Sequence, residues 1–576
     1  MSYTWKYQLP SKEETDTALE LANEVGINPL LGSILLKRGI KTKKEAKKFF
    51  HPQLIDLYDP FLMKDMYKAV ERLNKAIGMK EKILVYGDYD VDGCTAVTLV
   101  YKFLHKFYSN VSYYIPDRYD DGYGVSIRAI DRAVTMGVKV IIILDCGIKA
   151  NEEIAYAKER GIDFIICDHH VPDAQLPPAY AILDPKRKDE TYPENILSGC
   201  GLGFKLMQAF AEDNGIEFSS LMPLLELCAV SIAADMVPII GENRILAYNG
   251  LRHLNANPSV GMQAILTICG LTEKEITIND IIFRIGPRIN ASGRIQNGSE
   301  TIDLLIETDL TRAIEKANII NTYNDARRDI DKQVTEEANS IVDSMTNLED
   351  RHSIVVYNDS WHKGVIGIVA SRLTELYYRP TVVMAVDNGK VTGSARSAGG
   401  FDIYSAIESC SDLLENFGGH TLAVGLSLKV ENIAEFMIRF EEYVEEHIKE
   451  EQTVETINID TQLNFNDIDF ELYQDIKRLA PFGPGNPEPI FCTYNVYDYG
   501  TSKVVGHSQE HIRLELVDNH SNKVINGIAF GQSSHARYIK TKRAFNICYT
   551  IQENTYKHNE IQLQIEDIKP AVPLEE

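Results

Sequence analysis

From residue 82 onward, short apolar runs alternate with amphipathic stretches. The runs are KILVYGDYD (82–90), SYYIP (112–116), KVIIILDCG (139–147), DFIICDHH (163–170) and YAILDP (180–185). Stretches with helical periodicity near 95–107, 125–136 and 151–160 separate them. Continuous apolar runs between helices predict buried parallel strands in βαβ units. A largely helical stretch covers about 200–275, and FRIGPRINASGR (283–294), rich in Gly, reads as a loop. Residues 311–345 contain no Gly or Pro and predict one helix, roughly 50 Å long at about 1.5 Å per residue. Its polar surface suits a connector between lobes. A second α/β segment spans 352–448, with SIVVY, TVVMAV, KVTGSAR and LAVGLSL as strands. Residues 455–570 are strand-rich: NIDTQL, PIFCTYNVYDY, IRLELV, VINGIAF, FNICYTI and EIQLQI, with a short helix near 532–539. That pattern predicts a small barrel such as an OB-fold.

The expected fold is therefore α/β: two α/β lobes joined by a long helix, followed by a C-terminal β-barrel. The expected segments are a helical one over 1–60, a first lobe over 61–300, and the connector over 301–348. A second lobe over 349–450 and the barrel over 451–576 complete the division.

Four of the apolar runs end in an acid: Asp88, Asp145, Asp168 and Asp184. Ligand sites in open parallel sheets form at the carboxyl ends of strands, so these acids are expected to converge. In GDYDVDG (87–93), Asp88, Asp90 and Asp92 alternate, and an extended backbone would turn all three to one side. A solvated acidic turn or a calcium loop also fits this segment. An EF-hand, however, continues to a Glu at its twelfth position, and here an apolar helix begins instead. Asp145, Asp168, His169, His170 and, from ADMVP (234–238), Asp235 join the candidate set. Each alone suits a helix cap or a structural imidazole. Together they form an oxygen-rich set with one or two imidazoles, which suits Mn²⁺ or Mg²⁺. So many carboxylates predict two divalent ions about 3.5–4 Å apart, the arrangement used in phosphoryl displacement.

The net charge is −24, from 59 Lys plus Arg and 83 Asp plus Glu. That total argues against a protein coated in basic surface, and a nucleic-acid site must then be local. Residues 281–299 form such an island: Arg284, Arg288 and Arg294 with no acid, and Asn290 among them. Arg is the fork-shaped phosphate binder, although salt bridging between lobes is the alternative reading. Ser371, Arg372 and Arg396, with Gly418, Gly419 and His420 in FGGH, suggest a second phosphate grip; a packed helix and a turn are the alternatives. Trp361 suits base stacking or a structural role equally. GCGLG (199–203) reads as close helix packing rather than a phosphate loop. About half of the barrel aromatics, such as Tyr494, Tyr497, Tyr499 and Phe530, are expected in its core. The others would stack on bases. Nine scattered Cys with no CxxC, no signal pattern and no long apolar run predict a reduced cytoplasmic protein without a membrane span.

GDYDVDG, LDCG, CDHH and ADMVP, in this order, resemble the motifs of the DHH phosphoesterases. PDRYDDGYG (116–124), FRIGPRINASGR, WHKGVIGIVASRL (361–373), GSARS (393–397) and FGGHTLAVGLSL (417–428) resemble the RecJ single-strand-specific exonuclease branch. The resemblance covers about residues 50–570. It implies a DHH lobe, a connecting helix, a DHH-associated lobe and an OB-fold. It also implies metal-dependent 5′-to-3′ exonuclease activity on single-stranded DNA, processive, releasing 5′-mononucleotides, in repair and recombination. By the same resemblance one ion is held by Asp88, Asp90 and Asp145, and the other by Asp92, Asp145, His169 and Asp235. Asp168 then orients an imidazole, His170 touches the scissile phosphate, and Arg118 joins the substrate-binding residues. A helicase or a single-strand-binding protein is the implied partner. Two other readings are a DHH phosphodiesterase for short oligonucleotides or cyclic dinucleotides, and a nuclease-dead single-strand-binding scaffold. The barrel argues against the first and the complete acid set against the second.

Overall fold

A computed structural model describes residues 3–117, 124–295, 298–345, 348–387, 389–521, 523–554 and 560–571. The chain forms two compact units. One is Leu57–Glu455; the other combines Met1–Asp56 with Thr456–Glu576. Strand β1 (Thr4–Tyr7) opens the second of these.

The larger unit begins with an all-parallel sheet. Its strands are β2 (Lys82–Gly87), β3 (Val111–Tyr114), β4 (Val138–Leu144), β5 (Asp163–Cys167) and β6 (Ala181–Leu183), in the order β3-β2-β4-β5-β6. The central strands are apolar throughout because helices cover both faces. Helices Ile127–Thr135 and Asn151–Glu159 pack Ile130, Ala133, Ile154 and Ala157 on Leu84, Ile141, Ile143 and Phe164. Helices Val91–His105 and Gly199–Asp213 cover the other face, and Gly203 allows them to meet: a Cβ there would lie 3.1 Å from Val100. The chain leaves β2 to β3 on one side and returns to β4 on the other. The carboxyl ends of β2 and β4 thus flank the switch point, where a crevice opens.

FRIGPRINASGR is helical, not a loop. A π-helical segment, Ile281–Ile285, runs into an α-helix, Gly286–Ile295. Its glycines serve close packing: a Cβ on Gly293 would lie 2.6 Å from the Tyr89 carbonyl oxygen. The long helix covers Leu310–Asp343. Its first half buries Ala313, Ala317 and Ile320, and its second half packs Val334, Ala338 and Val342 on the next lobe.

That lobe holds a second sheet of β7 (Ile354–Asn358), β8 (Thr381–Asp387), β9 (Lys390–Arg396), β10 (Leu414–His420) and β11 (Ala423–Lys429), in the order β10-β11-β9-β8-β7. Only β7 and β8 are parallel. The sequence pattern missed β10, LENFGGH, because an edge strand with a Gly pair shows no alternation.

In the other unit β1 pairs in parallel with β12 (Thr456–Ile459). The short β13 (Thr461–Gln462) leads to β14 (Phe491–Asp498), β15 (Lys503–Val505), β16 (His511–Asp518), β17 (Ile525–Ala529), β18 (Phe545–Glu553) and β19 (Ile561–Pro570). Five strands close in the order β14-β18-β19-β17-β16, with β16 returning to β14, and the barrel has the OB-type form. Residues 1–56 do not stand apart as a separate helical segment. Leu21, Ile34, Leu35 and Phe50 share one core with Phe465, Leu472, Phe491 and Ile547. Among the described residues no helix is long and apolar enough to cross a membrane.

Candidate metal centre and substrate surface

The acids of GDYDVDG do not lie on an extended segment. Asp88 follows β2, Asp90 is the N-cap of helix Val91–His105 and accepts the Gly93 N–H at 3.0 Å, and Asp92 lies in the first helical turn. A strand-to-helix turn, rather than strand alternation, brings them together. Gly93 permits this turn, since a Cβ there would lie 2.3 Å from the Asp88 carbonyl oxygen. Asp145 follows β4 across the switch point, in the left-handed region at φ 61°. A Cβ on Gly199 would meet the Asp145 Cβ at 2.6 Å.

Three groups of three result, one of them Asp145 with His169 and His170, and the other two divide the acids. Asp88, Asp90 and Asp145 form one, and Asp92, His169 and Asp235 the other; within each, one ligand atom per residue lies within 4.8 Å of the rest. His169 links them: its Nε2 lies 3.1 Å from Asp145, 3.6 Å from Asp235 and 3.8 Å from Asp92. Asp92 is held in place by three donors. The Gly199 N–H donates at 2.6 Å, the Cys200 N–H at 2.7 Å and the Ser231 hydroxyl at 2.6 Å. GCGLG thus does two things. Its glycines pack closely, as the sequence suggested, and its helix N-terminus also presents two N–H groups to an anion. Ser231 and this N–H pair carried no sequence signal, because they lie more than 100 residues from Asp92 along the chain.

The electrostatics suit cations. Burial and the neighbouring Asp92, Asp90, Asp88 and Asp235 push Asp145 well above the usual carboxylate range. Burial and Asp92 raise Asp90, and burial with Asp92 and Asp90 raises Asp235 to about 8. Among the described residues no Lys or Arg bonds Asp90, Asp92, Asp145 or Asp235. Burial holds His169 at about 4, so its imidazole is neutral and available as a ligand. Buried carboxylates of like charge with a neutral imidazole make a donor set that a divalent cation would stabilise.

Asp168 serves a different partner. It accepts the Ile148 N–H at 2.9 Å and bonds His170 Nδ1 at 2.7 Å. Burial opposes its ionisation, yet His170 holds it at about 2. Burial likewise opposes the His170 imidazolium, yet Asp168 holds it up at about 9. His170 also comes close to Asp145 and His169, and its ring stacks on His420 of β10 at 5.6 Å and 8°. Burial and His170 lower His420. A charged imidazole thus faces a neutral one. Asp184, the fourth strand-end acid, is buried and pushed to about 7 by that burial.

The other candidates divide. Arg396 bonds the hydroxyls of Ser371 at 3.2 Å and Ser394 at 2.8 Å; burial lowers it, and among the described residues no acid pairs with it. That cluster of donors suits an anion. Arg372 turns away and pairs with the buried Asp331 of the long helix at 2.8 Å. Arg294 donates to the Gly364 carbonyl at 3.0 Å, and Arg288 donates to Asn321 at 2.9 Å and to the Arg284 carbonyl at 2.7 Å. Arg284 donates to the Cys269 carbonyl at 2.5 Å and lies 3.7 Å from Asp280. The arginine island therefore ties helices and lobes together mainly through neutral oxygens. Asn290 is half-buried on the same helix. Gly418 and Gly419 belong to β10, where Gly419 has φ 153° and a Cβ would lie 2.2 Å from the Ala423 carbonyl oxygen. Arg118 lies outside the described residues. Trp361 is a core residue, 4% exposed, with its Nε1–H on Glu337. In the barrel Tyr499 and Phe530 are exposed, and Tyr494 packs into a small apolar cluster.

Comparison with known proteins adds the lineage. Residues 82–232 match the DHH family, N-terminal domain; 350–446 match the DHHA1 domain; and 459–567 match the RecJ OB domain. The single-stranded-DNA-specific exonuclease RecJ of Haemophilus influenzae is 32% identical over 96% of this chain and 98% of its own length. This chain belongs to the RecJ family. Its RecJ relative in Bacillus subtilis is 36% identical over 89% of the chain, and the chain spans 64% of that relative's length. Among solved structures, RecJ of Thermus thermophilus in complex with Mn²⁺ has TM-score 0.85 at 24% identity, covering 100% of this chain and 80% of that one. That likeness is one of fold. An exonuclease RecJ bound to manganese has TM-score 0.59 at 28% identity, over 69% of this chain and 98% of that one. The RecJ fold thus accounts for both α/β lobes, the connecting helix and the barrel.

Proposed function

We propose that this RecJ-family chain is a metal-dependent exonuclease that degrades single-stranded DNA from the 5′ end, processively, releasing 5′-mononucleotides. The supporting observation is the pair of three-ligand groups, Asp88/Asp90/Asp145 and Asp92/His169/Asp235, joined at the His169–Asp145 contact of 3.1 Å. In this reading each group takes one Mn²⁺ or Mg²⁺ ion, with Asp145 shared. When bound, the two ions supply Lewis-acid stabilisation of the phosphate charge and acidify the attacking water.

The chain's own residues do the rest. Asp92, locked by Gly199, Cys200 and Ser231, keeps its ligand geometry without reorganisation. His170, held charged by Asp168, donates to an oxygen of the scissile phosphate. His420, stacked against it, adds a second donor from the other lobe. Arg396 with Ser371 and Ser394 grips a further phosphate. Exposed Tyr499 and Phe530 offer the strand stacking surfaces on the barrel. Arg294 holds the Gly364 backbone just before the helix that carries Ser371, and Arg284, Arg288 and Arg294 remain candidate phosphate contacts. Polarity rests on the family alone. So do a role in repair and recombination and a helicase or single-strand-binding partner. A cytoplasmic location accords with nine buried, unpaired cysteines.

The test uses long single strands labelled at either end, beside their duplex form, with Mn²⁺. Immediate release of labelled mononucleotide from the 5′ end alone, with duplex intact, is the expected result. Binding without cleavage would favour the scaffold reading, and cleavage confined to dinucleotides the short-substrate phosphodiesterase.

A further inference from the structure

Beside the acidic centre the first lobe holds a cleft of about 800 Å³, a usual size for a small-molecule site. Three loops that carry site residues also build its wall. Val171 follows the His pair, Pro185 and Lys186 follow Asp184, and Val237 and Pro238 follow Asp235. Pro193 completes an apolar face whose three prolines fix their own backbone φ.

The charges inside the cleft are almost all matched. Arg187 lies 3.0 Å from Asp65 and 3.1 Å from Asp189. The Glu190 carboxylate accepts the N–H groups of Lys64, Thr191 and Tyr192. Lys186 is the exception. It is half-buried, and among the described residues its ammonium makes neither an ion pair nor a hydrogen bond. In a chain of net charge −24 a carboxylate partner would be easy to supply. Its charge acts instead toward the centre, on Asp235, Asp184, His169, His170 and His420.

We propose that this cleft is a nucleotide subsite, with Lys186 on a phosphate oxygen and the base against the proline wall. Resting on the exonuclease reading, it takes the nucleotide that adjoins the scissile phosphate on the side of the first lobe. An unmatched ammonium suits a phosphate as a point charge. An apolar wall accepts the face of any base, as a sequence-tolerant nuclease needs.

The experiment titrates the full chain, in chelator, with deoxyadenosine 5′-monophosphate and with deoxyadenosine by calorimetry. The nucleotide should bind, and the nucleoside more weakly. Lys186→Ala should weaken nucleotide binding about tenfold, and Lys186→Arg should restore most of it. Asn195→Glu, which places an acid on the exposed lip of the cleft, should weaken it as well without disturbing folding. In turnover on single strands, Lys186→Ala should raise KM more than it lowers kcat. Equal nucleotide affinity in wild type, Lys186→Ala and Asn195→Glu would overturn the inference, and strand degradation by all three would then leave the exonuclease reading standing. Lys186-dependent nucleotide binding in a chain that degrades no strand would sink that reading and retain the subsite.

Discussion

Asp145 shows how much one residue of this centre depends on its surroundings. It occupies the left-handed region, which Asp and Asn tolerate better than other L-residues. Asp145→Asn therefore keeps the backbone and removes the charge. Hydrolysis should fall about a thousandfold or more, with the circular dichroism of the folded chain unchanged. Asp145→Ala should lose the same activity and also about 1–2 kcal/mol of stability, which denaturant unfolding would register. Ser231→Ala removes a hydroxyl donor from Asp92. Affinity for Mn²⁺ should drop about 10- to 100-fold, measured calorimetrically, while kcat at saturating metal changes less. The acids themselves were legible in the sequence because Asp88, Asp145 and Asp168 end apolar runs and Asp90 and Asp92 alternate with Asp88 in one short motif. Their supports were not: a serine in one helix and two N–H groups at the start of another are chosen by packing alone. The sequence also offered no sign that Arg372 turns to Asp331, since that pairing depends on the long helix's rotation.

Among the elements, apolar periodicity identified the parallel strands, the connecting helix and most of the barrel. It failed where glycine was taken as a loop signal. In Gly286–Ile295 and in β10 the glycines serve contact distance, so composition pointed the wrong way. One element pair carries its own prediction. Lys205 of helix Gly199–Asp213 is fully buried and lies 3.0 Å from Glu242 of helix Gly241–Ala256. The Tyr58 carbonyl also accepts from Lys205, and Tyr192 donates to Glu242. Lys205→Met strands a buried carboxylate and should cost about 3–5 kcal/mol. Adding Glu242→Gln, which still accepts from Tyr192, should recover most of that loss in a urea melt.

For the molecule as a whole, the two units respond to pH through different groups. In the barrel unit, burial and Glu566 push Glu488 up to about 7. The native state then binds a proton that the unfolded chain releases near its ordinary 4.5. Stability from this group is present below that value, falls as pH rises to about 7, and stays low above it. Glu488→Gln should therefore stabilise this unit at pH ~8 by about 1–3 kcal/mol and leave it nearly unchanged at pH ~4. Unfolding followed at both pH values checks this. The centre itself should take up two Mn²⁺ per chain and lose all hydrolysis in chelator. The division into lobes and barrel was legible, whereas the union of the first 56 residues with the last 121 was not. No local pattern announces that Thr4 will pair with Thr456.

That pairing also has a consequence in time. The segment ending at Asp56 leaves the ribosome about 400 residues before its partners from Thr456 onward. At ~5–20 residues per second, its apolar face waits roughly 20–80 seconds before its own core exists. The lobes between, complete by Glu455, can fold during that interval. During that interval the early segment is open to chaperones and to misassembly.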